Sequence, residues 1–137
     1  MLDNISVTQL KSFSLDSGDV KHILKKSDKD YRGYGETYIS FIKFNHVKGW
    51  KRHKRMTMNL VVPIGAVKFV FYDNLSSTFR EEIIGNKNYC RLTVPPNIWF
   101  SFKGISRENN LIFNISDIEH DPKEQETLNI NKIKYKW

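Results

Sequence analysis

Seven short apolar blocks set the terms on which this chain can fold: TYISFIKF, MNLVV, AVKFVFYD, EEIIG, CRLTV, NIWFSF and LIFNIS. They are rich in Val, Ile, Phe and Tyr, whose branched or aromatic side chains suit a pleated surface. Gly, Asn, Asp or Pro separates one block from the next. Blocks of this length at short, regular spacing predict an all-β sandwich or barrel. No segment keeps a helical period over three turns. The one helical signal is HDPKEQETL, where Asp121 is placed to cap, and Pro122 to open, at most one short C-terminal helix.

Alternation within the blocks assigns faces. Cys90, Leu92 and Val94 oppose Arg91 and Thr93; Ile98, Phe100 and Phe102 oppose Trp99 and Ser101. Leu111, Phe113 and Ile115 oppose Ile112, Asn114 and Ser116, and the apolar set, with Phe100 and Phe113, is expected to face inward. AVKFVFYD is apolar on both sides except at Lys68, so it is expected to be covered on both, within a sandwich or by a second chain. At 137 residues the chain is long enough for one domain with a core of its own, expected at about 18–122. Cys90 is the only cysteine and cannot form an internal disulfide, which suits a reducing compartment. The opening MLDNISVTQLKSFSL lacks a basic segment followed by a continuous apolar one, and no apolar run approaches the ~20 residues of a membrane span. These features predict a soluble, cytoplasmic protein with no membrane partner.

The net charge of +7 favours an anionic partner. It is concentrated in KGWKRHKR, residues 48–55, with five Lys/Arg in eight positions around one histidine. Lys51 and His53 share one face of this stretch, and Trp50 and Arg52 the other. His53 is the first choice for a general acid or base. Lys51 has three open roles: a base with a depressed pKa, a cation that holds an enolate or phosphate, or a solvated lysine. Lys48, Arg52, Lys54 and Arg55 are candidates for phosphate contacts, and Phe100 and Phe113 for an aromatic floor.

A glycine turn at PIGAV and the double proline of PPN before an aromatic strand resemble a cupin. In order and spacing, VKGWKRHK, GAVKFVFYDNLSSTF, VPPNIWFSF and IFNISDIEHDP are similar to the dTDP-sugar 3,5-epimerase and sugar 3,4-ketoisomerase group of that superfamily. The resemblance implies a single cupin-like jelly-roll domain over 1–137, a homodimer, and a dTDP-linked or similar nucleotide-sugar bound in the barrel mouth. It implies an isomerase of deoxysugar or surface-polysaccharide biosynthesis, in which a histidine removes a proton beside a keto group and a tyrosine returns one from the other face. A carboxylate behind the histidine fixes its tautomer. Carried onto this chain, the group's base histidine falls on Lys51, its acid tyrosine on Phe113, a second pocket histidine on Phe100, and its diphosphate arginine on Lys48. The stretch that carries the carboxylate falls on LNIN, residues 128–131, which has none. Tyr38, Tyr72 and Tyr89 are candidates to replace the acid. Metal-binding cupins need a His-x-His pair and a later histidine; Lys51 and Phe100 occupy two of those places, so neither metal nor other cofactor is expected. Two readings stay open: an epimerase or ketoisomerase with an atypical site, and a non-catalytic cupin that binds a nucleotide-sugar or carbohydrate or partners a pathway enzyme. Single-stranded nucleic acid, stacked on Trp50 and Trp99, ranks last.

Overall fold

The computed structural model describes residues 1–137 as twelve strands and three single-turn 3₁₀ helices. The strands are β1 (Ser6–Gln9), β2 (Ser12–Phe13), β3 (Val20–Lys21), β4 (Glu36–Phe41), β5 (Val47–His53), β6 (Met58–Ile64), β7 (Ala66–Asp73), β8 (Thr78–Gly85), β9 (Cys90–Val94), β10 (Trp99–Gly104), β11 (Leu111–Ser116) and β12 (Gln125–Thr127). One five-stranded sheet runs β1-β9-β6-β11-β4, and a second runs β12-β5-β10-β7-β8. All pairings within them are antiparallel. The fold is the all-β jelly roll of the cupins. Both sheets extend beyond the expected 18–122, since β1 and β12 form edges.

The inner faces meet as the alternation of β9 and β10 predicts. Val67, Phe69 and Phe71 of β7 pack with Cys90, Leu92 and Val94 of β9 and with Ile98 and Phe100. Burying each such side chain contributes roughly 1.5–3 kcal/mol. The β6–β7 turn needs Gly65: its φ is +83°, and a Cβ there would lie 2.1 Å from the Asn109 carbonyl oxygen. Asp73 closes the next turn by accepting from Leu75 N (2.9 Å) and Ser76 Oγ (2.8 Å).

Two expectations are made specific and one is corrected. The helical signal at 121–129 yields only one 3₁₀ turn, Pro122–Glu124, capped as expected by Asp121; the chain then enters strand β12 instead of continuing as a helix. The second apolar face of β7 is covered by the chain's own C-terminal segment, where Ile130, Ile133, Tyr135 and Trp137 pack against Trp50, Val70, Tyr72 and Trp99. The faces of β11 are the reverse of those expected: Ile112, Asn114 and Ser116 are buried, while Leu111, Phe113 and Ile115 are half-exposed. The polar pair can turn inward because it is satisfied there. Ser116 Oγ donates within hydrogen-bond distance of the Glu36 and Ile118 carbonyls, and Asn114 Nδ2 donates to the Tyr38 hydroxyl.

Candidate active site

The basic stretch forms β5, and a bulge decides which of its side chains enter the barrel. Opposite β10, Phe100 pairs with Lys51 but Ser101 pairs with Gly49, so Trp50 is the extra residue. Simple alternation would place Lys48 with Trp50 and Arg52 on the outer face. The bulge returns Lys48 to the inner face beside Lys51 and His53. Gly49 permits this: its φ is +136°, and a Cβ would lie 2.6 Å from Ser101 Oγ.

These residues line a cavity of about 240 Å³ between the two sheets. Lys48, Gly49, Lys51, His53, Phe69, Phe100 and Phe102 form the wall from the second sheet. Tyr38, Ser40, Met58, Leu60, Ile112 and Asn114 form the opposite wall. Phe100 stacks on the His53 ring at 6.0 Å between centroids and 19° between planes. The volume falls below the ~300–1,000 Å³ of drug-sized ligand sites.

His53 is buried, and behind it lies Glu124, which is equally buried. His53 Nδ1 donates to Glu124 Oε1. Glu124 Oε2 accepts from the backbone N–H groups of Lys54 (3.1 Å), Arg55 (3.1 Å) and Met56 (3.3 Å). Burial by itself would raise the Glu124 carboxyl, but the bonds from His53 and from the Arg55 and Met56 backbone outweigh it and hold the group below the usual carboxylate range. Burial lowers the His53 pKa below the ordinary imidazole range, against the pull of Glu124, and the nearby Lys51 charge adds to the lowering. The imidazole is therefore neutral at pH 7. With Nδ1 committed to Glu124, Nε2 is the unprotonated nitrogen that serves the cavity.

The carboxylate that LNIN lacks is thus supplied by Glu124, brought in by the 3₁₀ turn before β12. Nothing in the local sequence marks it, because the pairing spans 71 residues. Of the three tyrosines, only Tyr38 lines the cavity. Burial, with the Glu36 and Glu124 charges, raises its pKa despite the bond from Asn114, so it carries its proton at pH 7. Tyr72 packs outside against Trp50 and Phe79, and Tyr89 lies under Lys21. Asn114 Oδ1 is buried without a hydrogen-bond partner.

Lys51, His53, Lys48 and Phe100 are brought together as expected. Arg52 is not: it faces out, donates to Glu126 from Nε (2.7 Å) and lies 4.7 Å from the centre of the Trp99 ring. Lys54 lies just past the end of β5 with its side chain exposed, outside the cavity lining. Phe113 points away from the cavity, as the reversed faces of β11 require. Trp50 and Trp99 are buried at 1% and 7% exposure, which removes the stacking surface a nucleic-acid site would need. No three His, Cys, Asp or Glu side chains gather as a metal-ligand set. No helix is long and apolar enough to cross a membrane.

No family model matches the sequence, and no curated protein matches it. Solved structures do. A dTDP-sugar isomerase from Desulfovibrio desulfuricans G20 superposes with a TM-score of 0.93 at 29% identity, over 98% of this chain and 91% of that one. A 3,5-epimerase for dTDP-4-dehydrorhamnose from Bacillus anthracis, with TDP and pyrophosphate bound, gives 0.84 at 15% identity, over 98% and 85%. A variant of the 3,4-ketoisomerase QdtA from Thermoanaerobacterium thermosaccharolyticum, in complex with TDP-4-keto-6-deoxyglucose, gives 0.78 at 17% identity, over 91% and 88%. The structural neighbours are thus members of the group that the sequence resembles.

Proposed function

We propose, starting from a chain built like the dTDP-sugar isomerases and epimerases, that this protein is a nucleotide-sugar epimerase or ketoisomerase acting on a thymidine diphosphate-linked 4-keto-6-deoxy sugar. One observation carries the reading. A histidine backed by a buried carboxylate lines a cavity of about 240 Å³, and a tyrosine stands on the opposite wall. His53 Nε2 removes the proton on the carbon beside the keto group. Lys51 supplies positive charge where negative charge develops. Tyr38 returns a proton from the other side, and Phe100 holds the His53 ring in plane. Lys48, at the mouth, contacts the diphosphate.

A second copy of this chain covers the outer face of the first sheet in this reading. There Ile39, Phe41 and Ile64 are about half exposed beside Leu111, Phe113 and Ile115. Light scattering at micromolar concentration should give a dimer. The compartment fitting the lone reduced cysteine is the cytoplasm.

The test is proton exchange. With TDP-4-keto-6-deoxyglucose in D₂O, the wild type should place deuterium on a carbon next to the keto group, followed by NMR. Saturable binding of the sugar nucleotide without exchange would leave a binding module and sink the enzymatic reading.

A further inference from the structure

We propose that Lys51 is a covalent catalyst whose Nζ condenses with the sugar's keto carbon, and that the reaction is in consequence an epimerisation that leaves the carbonyl at its original carbon. This deepens the function proposed above and rests on it.

The placement of Lys51 supports the assignment. Its half-buried side chain lines the cavity beside His53 and across from Tyr38. Every other buried or half-buried basic side chain of β5 is tied to a carboxylate: Arg52 to Glu126, and His53 to Glu124. Lys48, which is exposed, donates to the Phe41 carbonyl at 2.7 Å. Lys51 has neither an ion pair nor a hydrogen bond, so its amine is uncommitted. Burial lowers its pKa, and the Lys48 charge adds to this against the pull of Glu124, which enlarges the neutral share. An arginine would serve as well for a fixed positive charge. What lysine adds is the ability to lose a proton and attack a carbonyl.

The neighbouring groups complete the chemistry. Neutral Nζ attacks the keto carbon, and the C=O π pair moves to oxygen. That oxygen leaves as water carrying two protons, one from Nζ and one from the Tyr38 hydroxyl, which is recharged from solvent. The product is a protonated imine, C=N⁺–H. His53 Nε2 then takes the proton from the adjacent carbon; the C–H pair becomes the C=C bond of an enamine, and the C=N π pair returns to nitrogen. Reprotonation of that carbon from the other face inverts it, and water releases the amine and the keto sugar. The buried, unpartnered Asn114 Oδ1 is free to accept a hydroxyl proton of the bound sugar. Moving the keto group along the ring through the same enamine would leave the sugar on Lys51 as a stable amine. A lysine imine is therefore compatible with epimerisation and incompatible with ketoisomerisation.

Two readouts test this with the whole protein and TDP-4-keto-6-deoxyglucose. Imine formation must exchange the keto oxygen with solvent, so in H₂¹⁸O the enzyme should introduce ¹⁸O faster than spontaneous hydration and at least as fast as C–H exchange. Borohydride added during turnover should fix one sugar-nucleotide mass to the peptide that contains Lys51. Lys51→Arg, which keeps the charge, should lose both signals and about 100-fold or more of turnover, while TDP binding changes by only a few fold. C–H exchange without a trapped adduct and without enzyme-dependent ¹⁸O uptake would overturn the covalent role and leave the function standing. So would Lys51→Arg within about tenfold of wild type, or a product with its keto group moved. If the wild type neither binds the sugar nucleotide nor exchanges protons, the proposed function fails and the imine with it.

Discussion

The two faces of β5 carry the same kind of side chain into different surroundings. On the outer face, Arg52 is neutralised by Glu126 and rests on Trp99, while Trp50 is buried under the C-terminal segment. On the inner face, His53 is desolvated and held by a buried carboxylate, and Lys51 is half-buried without a partner. Residues one position apart are thus paired and packed on one side, and turned toward the cavity on the other. Local density of positive charge says little about which is which. Burial and the identity of the partner decide it, because they set the protonation state and the freedom of the group.

The sharpest break in this comparison is on the inner face. His53→Asn removes the only imidazole of the cavity and should lower kcat by about 10²–10⁴. TDP binding, measured by calorimetry, should stay within a few fold, because the mouth is untouched. Retained turnover would mean that the base lies elsewhere.

Glu124→Gln comes next. It leaves a buried imidazole without its anion and weakens three backbone N–H contacts. Losing a charge-assisted hydrogen bond from the neutral imidazole costs about 1.5–3 kcal/mol, read as a shift in the denaturation midpoint. The pair also sets a pH dependence. Both pKa values are lower in the fold than in the open chain, so the unfolded state binds protons first as the pH falls. Stability should rise with pH up to about 6.5, the ordinary imidazole value. The Glu124 contribution should disappear at lower pH, as its carboxyl protonates in the fold. kcat/KM should have an acidic limb as His53 protonates. In His53→Asn the stability rise just below the imidazole value should flatten.

How far the sequence carries follows from the same residues. The strand blocks, the core faces of β9 and β10, and the shared face of Lys51 and His53 are local patterns of period two, and local patterns are legible. Glu124 is not, because its role exists only when the two chain segments pair across the sheet. The reversed faces of β11 escaped for a related reason. Polarity there points outward, but Asn114 and Ser116 find partners inside, and tertiary satisfaction overrides the pattern. Lys48 reaches the cavity by a bulge that alternation cannot show. The resemblance sets its histidine base on Lys51, whereas the histidine that meets a buried carboxylate is His53, two residues on.

Gly49→Ala tests the bulge itself. The positive φ and the close Ser101 side chain make any Cβ costly, at about 1–3 kcal/mol for a strained residue of this type. Relaxing that strain would move Lys48 and Lys51 relative to Phe100 and Phe102. KM for the sugar nucleotide should rise together with the loss of stability, and a variant as stable as wild type would show that the bulge tolerates a side chain.

The smallest effect is expected on the outer face, and it is the control that gives the others meaning. Arg52 is about a quarter exposed, pairs with a partly exposed Glu126 and stacks on Trp99. An ion pair of this exposure contributes ~0.2–1 kcal/mol, and a cation over an indole a further ~0.5–1 kcal/mol where solvent reaches it. Arg52→Ala should therefore cost no more than about 2 kcal/mol of stability, part of which salt already screens in the wild type. kcat and KM should be unchanged, because the side chain never reaches the cavity. A large loss of turnover without loss of stability would mean that charge on the outer face acts at a distance on the site, and the division of β5 into a structural and a reactive face would have to be given up.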